Sequence, residues 1–179
     1  MKKVFKFIIS IVVCEMAELV GAIFTTPKIE TWYATISKPS FTPPGWVIGA
    51  VWTILFFLMG ISLYLVWDKG WKPAVSSQDQ KVKYWNRFSE KLWKGTWREE
   101  NAVLIFVLQL VLNILWSVLF FGLQSPGIAF FELLMLWWAI LYTIANFYRI
   151  HRLAAYLLIP YILWVSFAGV LNFILWFLN

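Results

Sequence analysis

Cysteine, histidine and charged residues are scarce in this sequence, and their scarcity excludes several classes of function. Cys14 is the only cysteine and His151 the only histidine. A disulfide within the chain, a cysteine-based metal site and most histidine-containing metal sites or catalytic triads are therefore excluded. No catalytic acid–base pair can be assembled either, so we expect no metal site, no firm catalytic residue and no required cofactor.

Apolar residues are abundant instead: they make up 61% of the 179 residues, and only 13% are charged. A soluble domain is about one quarter charged, so this composition predicts an integral membrane protein. The 13 tryptophans exceed what core packing needs, and we expect some at the membrane interfaces, where an indole has one apolar and one hydrated side. The net charge of +6 does not indicate nucleic-acid binding, because the basic residues flank apolar spans.

Five apolar spans predict an all-α fold, an integral membrane bundle of five transmembrane helices in a single domain. They lie at about 4–25, 45–67, 102–123, 126–148 and 153–177. The second carries no charge and, at about 1.5 Å per residue, is long enough to cross a hydrocarbon core of roughly 30 Å. We expect the first to be retained, because two glutamates follow its apolar start directly and argue against a signal peptide.

Helix boundaries follow from prolines and capping residues. Thr25-Thr26-Pro27 predicts the end of the first helix. Ser125-Pro126 predicts a new helix start after Gly122, so the third and fourth helices should be antiparallel neighbours. Pro160 has no N–H to donate and should bend the fifth helix near Ile159.

The basic residues predict the topology. Of the 15 lysines and arginines, 13 lie in the N-terminal segment, the 68–101 loop or the short connection after the fourth span. Only Lys28 and Lys38 lie in the segment between the first two spans, which is on the opposite side of the membrane. The positive-inside rule then places the N-terminus in the cytoplasm and the C-terminus outside the cell membrane. Within 68–101, aromatic and apolar residues recur at helical spacing among lysines, which favours an amphipathic helix on an anionic leaflet over a solvated linker.

The segment between the first two spans is rich in proline. Pro39, Pro43 and Pro44 fix the backbone, so the segment following Trp32 cannot be helical throughout. Its rigidity is typical of a lid over a ligand site, because little entropy is lost when such a loop is ordered. The alternative is a simple connection at the membrane surface.

Several separated motifs together resemble the TspO/MBR family of tryptophan-rich sensory proteins and translocator proteins, also called peripheral benzodiazepine receptors. The motifs are WYATISKPSFTPP from Trp32, Val51-Trp52, MGISLYLVW at 59–67, QLVLNILWSVLFFG at 109–122 and LLIPYILWVSFAGVLNFILWFLN at 157–179. The resemblance implies five helices around a pocket that the first loop caps. Small residues on the helices would also permit a homodimer.

The resemblance further implies that the protein binds tetrapyrroles such as protoporphyrin IX or haem and acts in their transport or sensing. One alternative is light-dependent porphyrin degradation, in which Trp52 and Trp164 would be the reactive residues. A second alternative is a stress-linked regulatory interaction protein. The animal members carry a proposed cholesterol motif with a tyrosine near the end of the fifth helix; Phe173 replaces it here, so a sterol is not the expected ligand.

Two helix faces carry the candidate ligand-binding residues. Gln109, Asn113 and Ser117 are spaced by four and form a polar stripe, which serves either helix–helix contact or a pocket wall. Aromatic residues on the second and fifth helices would suit a planar apolar ligand, although core packing explains the same spacing. With the resemblance, the predicted ligand-binding set is Tyr33, Trp52, Asn113, Trp116, Tyr161, Trp164 and Ala168.

Glu15 and Glu18 lie near the middle of the first span, three residues apart and so on one face. A charge at the centre of a membrane helix costs a few kcal/mol, so such residues are functional candidates. No basic residue in a span is available to pair with them. We expect them to be protonated, or to face a helix interface or a wet cavity.

Overall fold

The computed structural model describes residues 2–69 and 99–179, and the helices within these ranges are long and apolar. Five are long and apolar enough to cross a membrane, which confirms the predicted all-α bundle of five spans. The bounds are α1 Lys2–Lys28, α2 Gly45–Lys69, α3 Glu99–Ser117, α4 Pro126–Ile150, α5 Arg152–Leu157 and α6 Ile159–Leu178. α5 and α6 together make the fifth span. The amphipathic helix predicted within 68–101 lies outside the described residues.

α1 does not end where the sequence predicted. The helix continues through Pro27 to Lys28 and then widens into a π turn, Ile29–Tyr33. Pro27 lacks an N–H, but hydroxyl groups and local π geometry can satisfy the freed carbonyls of a membrane helix. The carbonyl that loses its usual donor is that of Ile23, four residues before Pro27. At the start of the π turn, Thr31 Oγ1 donates a hydrogen bond to the carbonyl of Pro27 itself over 2.9 Å. The irregular loop is therefore only 36–44, and Trp32, predicted as a loop residue, lies on the helical π turn.

The start of α4 and the antiparallel arrangement of α3 and α4 are confirmed. Ser125 is the N-cap and Pro126 the first residue of α4. α3 also finishes in a π turn, Val118–Gly122, and Gln124 takes a positive φ of 52° to turn the chain. Phe106 near the start of α3 stacks on Phe147 near the end of α4, with ring centroids 5.5 Å apart.

The fifth span is broken close to the position predicted from Pro160. α5 ends at Leu157, Leu158 caps both helices, and α6 starts at Ile159. Pro160 therefore occupies the first turn of α6, where a missing N–H costs little because that donor would be unpaired anyway.

α1 and α2 are antiparallel, and they pack most closely near the N-terminus of α1. A Cβ at Gly60 would lie 2.8 Å from the Ile11 Cα, so only glycine allows this approach. The Phe7 and Tyr64 rings meet edge-on at 5.3 Å, and Lys3 forms an ion pair with Asp68. We call this end of the bundle the N-terminal end, and the end that carries residues 36–44 the loop end.

Aromatic residues form a second, smaller core cluster at the loop end. Phe120 and Phe121 are its buried centre, with ring centroids 4.8 Å apart. Trp32 packs edge-on against Phe120 at 5.5 Å, and Tyr33 lies 5.7 Å from Phe121. The π turn of α1 is thus held against the π turn of α3, which positions Tyr33 beside the cavity described next.

Candidate functional site

A cavity of about 250 Å³ lies inside the loop-end half of the bundle. α1, α2, α3 with its π turn, and α6 form its walls, whereas no described residue of α4 or α5 lines it. Along α1 and the π turn that follows it, the cavity extends from Ala17 to Tyr33, which is about 24 Å at the rise of an α-helix. The cavity is therefore elongated and runs from the middle of the bundle to its loop end.

Small residues keep this space open. Ala17, Gly21 and Ala22 present little side chain from α1, and Gly45 and Gly49 do the same from α2. A Cβ added at Gly45 or Gly49 would meet no neighbouring atom within 4 Å. The cavity thus stays open because α1 and α2 carry no side chains here that are large enough to fill it.

Flat aromatic side chains form most of the remaining wall. Trp116 stacks on Phe120 with centroids 4.9 Å apart and planes 19° apart. Trp164 and Phe167 are 5.4 Å apart on α6. The full aromatic lining is Tyr33, Trp52, Phe56, Trp116, Phe120, Phe121, Trp164 and Phe167. Such a wall offers large apolar contact area to a planar ligand.

Two hydrogen-bonded amides fix parts of this wall. Asn113 Nδ2 donates to the Tyr161 hydroxyl over 3.0 Å, which ties α3 to α6. Asn172 Oδ1 accepts a hydrogen bond from Trp116 Nε1 at 3.0 Å, and Asn172 Nδ2 donates to the Pro126 carbonyl at 2.7 Å. The orientation of Trp116 is therefore set by a side chain of α6 that is itself held by α4.

The structure brings most of the predicted ligand-binding residues together. Those that line the cavity are Tyr33, Trp52, Asn113, Trp116, Trp164 and Ala168. Tyr161 does not line it; it is fully buried behind Asn113 and packs edge-on against Trp52. Of the polar stripe on α3, Asn113 and Ser117 face the cavity, whereas Gln109 is buried outside it. Their role in binding stays a prediction.

The predicted lid residues do not line the elongated cavity. Pro39, Pro43 and Pro44 lie in the irregular segment 36–44, none of whose residues lines the cavity. The loop is instead attached to the end of α6. Ser37 N donates to Asn179 Oδ1 at 2.9 Å, Asn179 Nδ2 donates back to the Ser37 carbonyl at 3.1 Å, and the Phe41 ring approaches Phe167 at 6.3 Å.

The predicted set omitted Asn172, Phe120 and Phe121, which line the cavity, and it omitted one buried carboxyl group that lies outside the cavity. Asn172 is a lone amide in the last apolar span, and that isolation could have marked it as a candidate. Glu132 is a lone carboxyl in the fourth span; it is 2% exposed, and neither oxygen has a hydrogen-bond partner in the described structure. The clustering of Phe120 and Phe121 with Trp32 has no sequence signal, because it depends on the two π turns meeting.

A second cavity of about 660 Å³ lies at the loop end, between the π turn of α1, the start of α4 and the end of α6. Trp32, Phe131 and Trp176 contribute its aromatic surface. It contains none of the predicted ligand-binding residues, so we assign the candidate site to the elongated cavity.

Comparison with known sequences identifies the family. A sequence model of the TspO/MBR family matches residues 10–177, nearly the whole chain. The chain belongs to the TspO/MBR family. It is similar to the tryptophan-rich protein TspO of Archaeoglobus fulgidus, with 36% identity over 98% of both chains. The same-named protein of Chlorobaculum tepidum is 37% identical over 99% of this chain and 98% of its own.

An animal member of the TspO/MBR family is also similar. The human translocator protein is 35% identical over 88% of this chain and 80% of its own length. Family membership and the five apolar helices agree that this is a multi-pass membrane protein, whose setting is a lipid bilayer. The resemblance noted from the sequence motifs is thereby confirmed.

Proposed function

We propose that this protein binds hydrophobic planar ligands, namely tetrapyrroles such as protoporphyrin IX or haem, and acts in their transport or sensing. The observation that carries the proposal is the elongated cavity, because its walls are flat aromatic side chains with few polar groups among them. A large apolar ring system gains most from such a surface. No further cofactor is part of the proposal.

The size of the cavity adds an expectation about movement. At about 250 Å³ it lies just below the roughly 300–1,000 Å³ that is usual for small-molecule sites. A tetrapyrrole therefore requires some widening. We expect this widening between α1 and α2, because Gly45 and Gly49 leave that wall without side-chain contacts.

Filling the cavity tests the proposal. In Gly49→Phe, the new phenylalanine side chain starts at a position where a Cβ would meet no neighbouring atom within 4 Å. The fold should therefore persist, while the side chain takes up the space needed by a ligand. Ile54→Phe is the matched control, because Ile54 is on the same helix and 60% exposed on its outer surface. Titration of purified protein with protoporphyrin IX, followed by absorbance in the dark, should show binding for the wild type and Ile54→Phe. Gly49→Phe should bind at least about tenfold more weakly, and equal binding by all three would refute the site.

Light-dependent porphyrin degradation is the second candidate function. Trp52 and Trp164 both line the cavity, and Trp164 Nε1 is buried without a hydrogen-bond partner in the described structure. Either indole would be in position to donate an electron to a photoexcited porphyrin. The test compares bleaching of illuminated protoporphyrin IX with protein and in detergent alone. Protein-dependent products that disappear in Trp52→Phe and Trp164→Phe, with dark binding retained, would favour degradation over binding alone.

The proposal includes an orientation and an assembly state. The distribution of lysine and arginine supports a cytoplasmic N-terminus and an extracytoplasmic C-terminus in the cell membrane. A reporter fused after Asn179 should then be active outside the cell, and a reporter inserted near Ser77 should be active inside it; the reverse pattern would contradict this orientation.

Small residues on the helices support a homodimer, which cross-linking in native membranes would detect.

A further inference from the structure

An exposed arginine lies between two tyrosines at the N-terminal end of the bundle. The Arg152 guanidinium carbon lies 5.6 Å from the centre of the Tyr148 ring, and the Tyr148 ring meets Tyr156 edge-on with centroids 6.0 Å apart. Arg152 is exposed, and Tyr148 and Tyr156 are 41% and 52% exposed. We call these three residues the Arg152 cluster. It joins the end of α4 to α5 and faces outward from the bundle.

The guanidinium group of Arg152 has no acidic partner in the described part of the chain. Asp68 is the only acidic residue at the N-terminal end whose side chain the structure describes, and it pairs with Lys3 at 3.7 Å. No described residue forms an ion pair or a hydrogen bond with the Arg152 guanidinium. Its contact with the Tyr148 ring holds the planar group in place and leaves its N–H donors available for an anion.

The cluster lies at the level of the membrane interface. Tyr148 is two residues before the end of the fourth span, and Arg152 is the first residue of the fifth. Tyrosine is enriched at this level, where the phosphate groups of the lipids lie. Along the fifth span, exposed apolar residues then follow Tyr156 at helical spacing: Ile159 is 41% exposed and Leu163 is 65% exposed. An apolar strip therefore leads from the cluster toward the centre of the bilayer.

We propose that the Arg152 cluster binds the headgroup of one anionic phospholipid, such as phosphatidylglycerol. The Arg152 guanidinium and the hydroxyl groups of Tyr148 and Tyr156 donate hydrogen bonds to its phosphate oxygens. An acyl chain of the same lipid lies along Ile159 and Leu163. The inference concerns the outer surface of the bundle and does not rest on the proposed tetrapyrrole function.

The charges at the N-terminal end favour an anionic headgroup over a zwitterionic one. Lys2, Lys6 and Arg149 lie at the same end as Arg152 and add to its positive potential. The ammonium group of a zwitterionic lipid would come close to these cations, and Asp68 is already paired with Lys3. A soluble phosphate would gain the same hydrogen bonds but no contact with the apolar strip. A lipid is therefore the occupant that satisfies both parts of the surface.

The test measures lipid binding to purified protein in detergent by native mass spectrometry. Dioleoyl-phosphatidylglycerol and dioleoyl-phosphatidylcholine are added in separate titrations, and the apparent affinity for the first bound lipid is compared. The wild type should bind phosphatidylglycerol at least about tenfold more tightly than phosphatidylcholine. Arg152→Gln removes the charge but keeps a polar side chain, so it should weaken phosphatidylglycerol binding about tenfold and leave phosphatidylcholine within about twofold.

Two further variants separate a defined site from general attraction to a basic surface. Lys2→Gln makes the same charge change at an exposed position of the same end and should leave phosphatidylglycerol binding within about twofold. Tyr156→Phe removes a hydroxyl but keeps the ring, and it should weaken phosphatidylglycerol binding about threefold. Without added lipid, all three variants should melt like the wild type, because the changed side chains are exposed.

Each alternative gives a different result. Equal weakening by Arg152→Gln and Lys2→Gln would show a general surface effect and overturn the site, as would unchanged phosphatidylglycerol binding in Arg152→Gln or Tyr156→Phe. Equal affinity of the wild type for the two lipids would overturn the choice of an anionic headgroup. Phosphatidylglycerol should also raise the melting temperature of the wild type, whereas inorganic phosphate at the same concentration should not. An equal rise with phosphate would overturn the assignment to a lipid.

Discussion

The two halves of the α1–α2 pair use glycine for opposite purposes. At the N-terminal end, Gly60 lets the two backbones approach so closely that a Cβ would lie 2.8 Å from the Ile11 Cα. At the loop end, a Cβ on Gly45 or Gly49 would meet nothing within 4 Å. The same residue type therefore closes one half of the interface and opens the other.

This difference separates stability from function along a single helix pair. We call the half of the pair around Gly60 the closed half and the half around Gly45 and Gly49 the open half. The closed half has contacts that hold α1 to α2, including the Phe7–Tyr64 ring pair and the Lys3–Asp68 ion pair. The open half is held mainly by hydrogen bonds that cross the bundle and by the meeting of the two π turns. We therefore expect a bound ligand to widen the open half while the closed half keeps the two helices in register.

The largest expected effect on stability is in the closed half. Gly60→Ala should destabilise the protein by about 1–3 kcal/mol, because the new Cβ overlaps backbone atoms of α1 that cannot move without separating the helices. Gly49→Ala should be neutral or slightly stabilising, by up to about 1 kcal/mol, since alanine favours a helix interior and the space is empty. Melting of both variants in detergent checks the contrast, and equal effects would show that the two halves do not differ.

Asn172→Ala should have the next largest effect, because this buried side chain connects three elements of the open half. The change removes the part-buried hydrogen bonds to Trp116 Nε1 and to the Pro126 carbonyl, at a net cost of about 0.5–1.5 kcal/mol for each bond. We expect a lower melting temperature together with weaker porphyrin binding. Trp116→Phe is the milder comparison, since Asn172 then keeps its bond to Pro126; a larger loss in Trp116→Phe would contradict this account of the network.

The smallest expected effect concerns the attachment of the loop. Asn179→Ala removes the exposed hydrogen bonds to Ser37, worth about 0.5–1.5 kcal/mol each at most. Because no loop residue lines the cavity, porphyrin affinity should fall by less than about threefold. The double variant Pro43→Gly, Pro44→Gly tests the lid hypothesis more severely. A loss of affinity of tenfold or more with unchanged melting would support the lid hypothesis, since ordering a freed residue costs about 1–2 kcal/mol on closure.

The sequence predicted the bundle well because its signals are local. Span lengths, the Ser125-Pro126 start and the Pro160 break each follow from a few adjacent residues. The predicted end of α1 was wrong, because a proline need not stop a membrane helix when hydroxyl groups and local π geometry satisfy the nearby backbone, and the chain continues through Pro27 into the π turn. The family motifs drew attention to six residues that do line the cavity. They did not single out Asn172, because its role depends on contacts with two other helices, although a lone amide in an apolar span is itself a signal.

The most direct test of the central claim is whether a porphyrin protects the open half specifically. In a Cys14→Ala background, Gly45→Cys places a thiol on the cavity wall, whereas Trp46→Cys places one on the adjacent residue, which is 77% exposed and does not line the cavity. The rate of maleimide labelling is measured in the dark with and without protoporphyrin IX. We predict that the porphyrin slows labelling of Gly45→Cys by about tenfold or more and leaves Trp46→Cys unchanged. Equal rates at Gly45→Cys with and without porphyrin, under conditions where the porphyrin is bound, would contradict the assignment of the cavity as the ligand site.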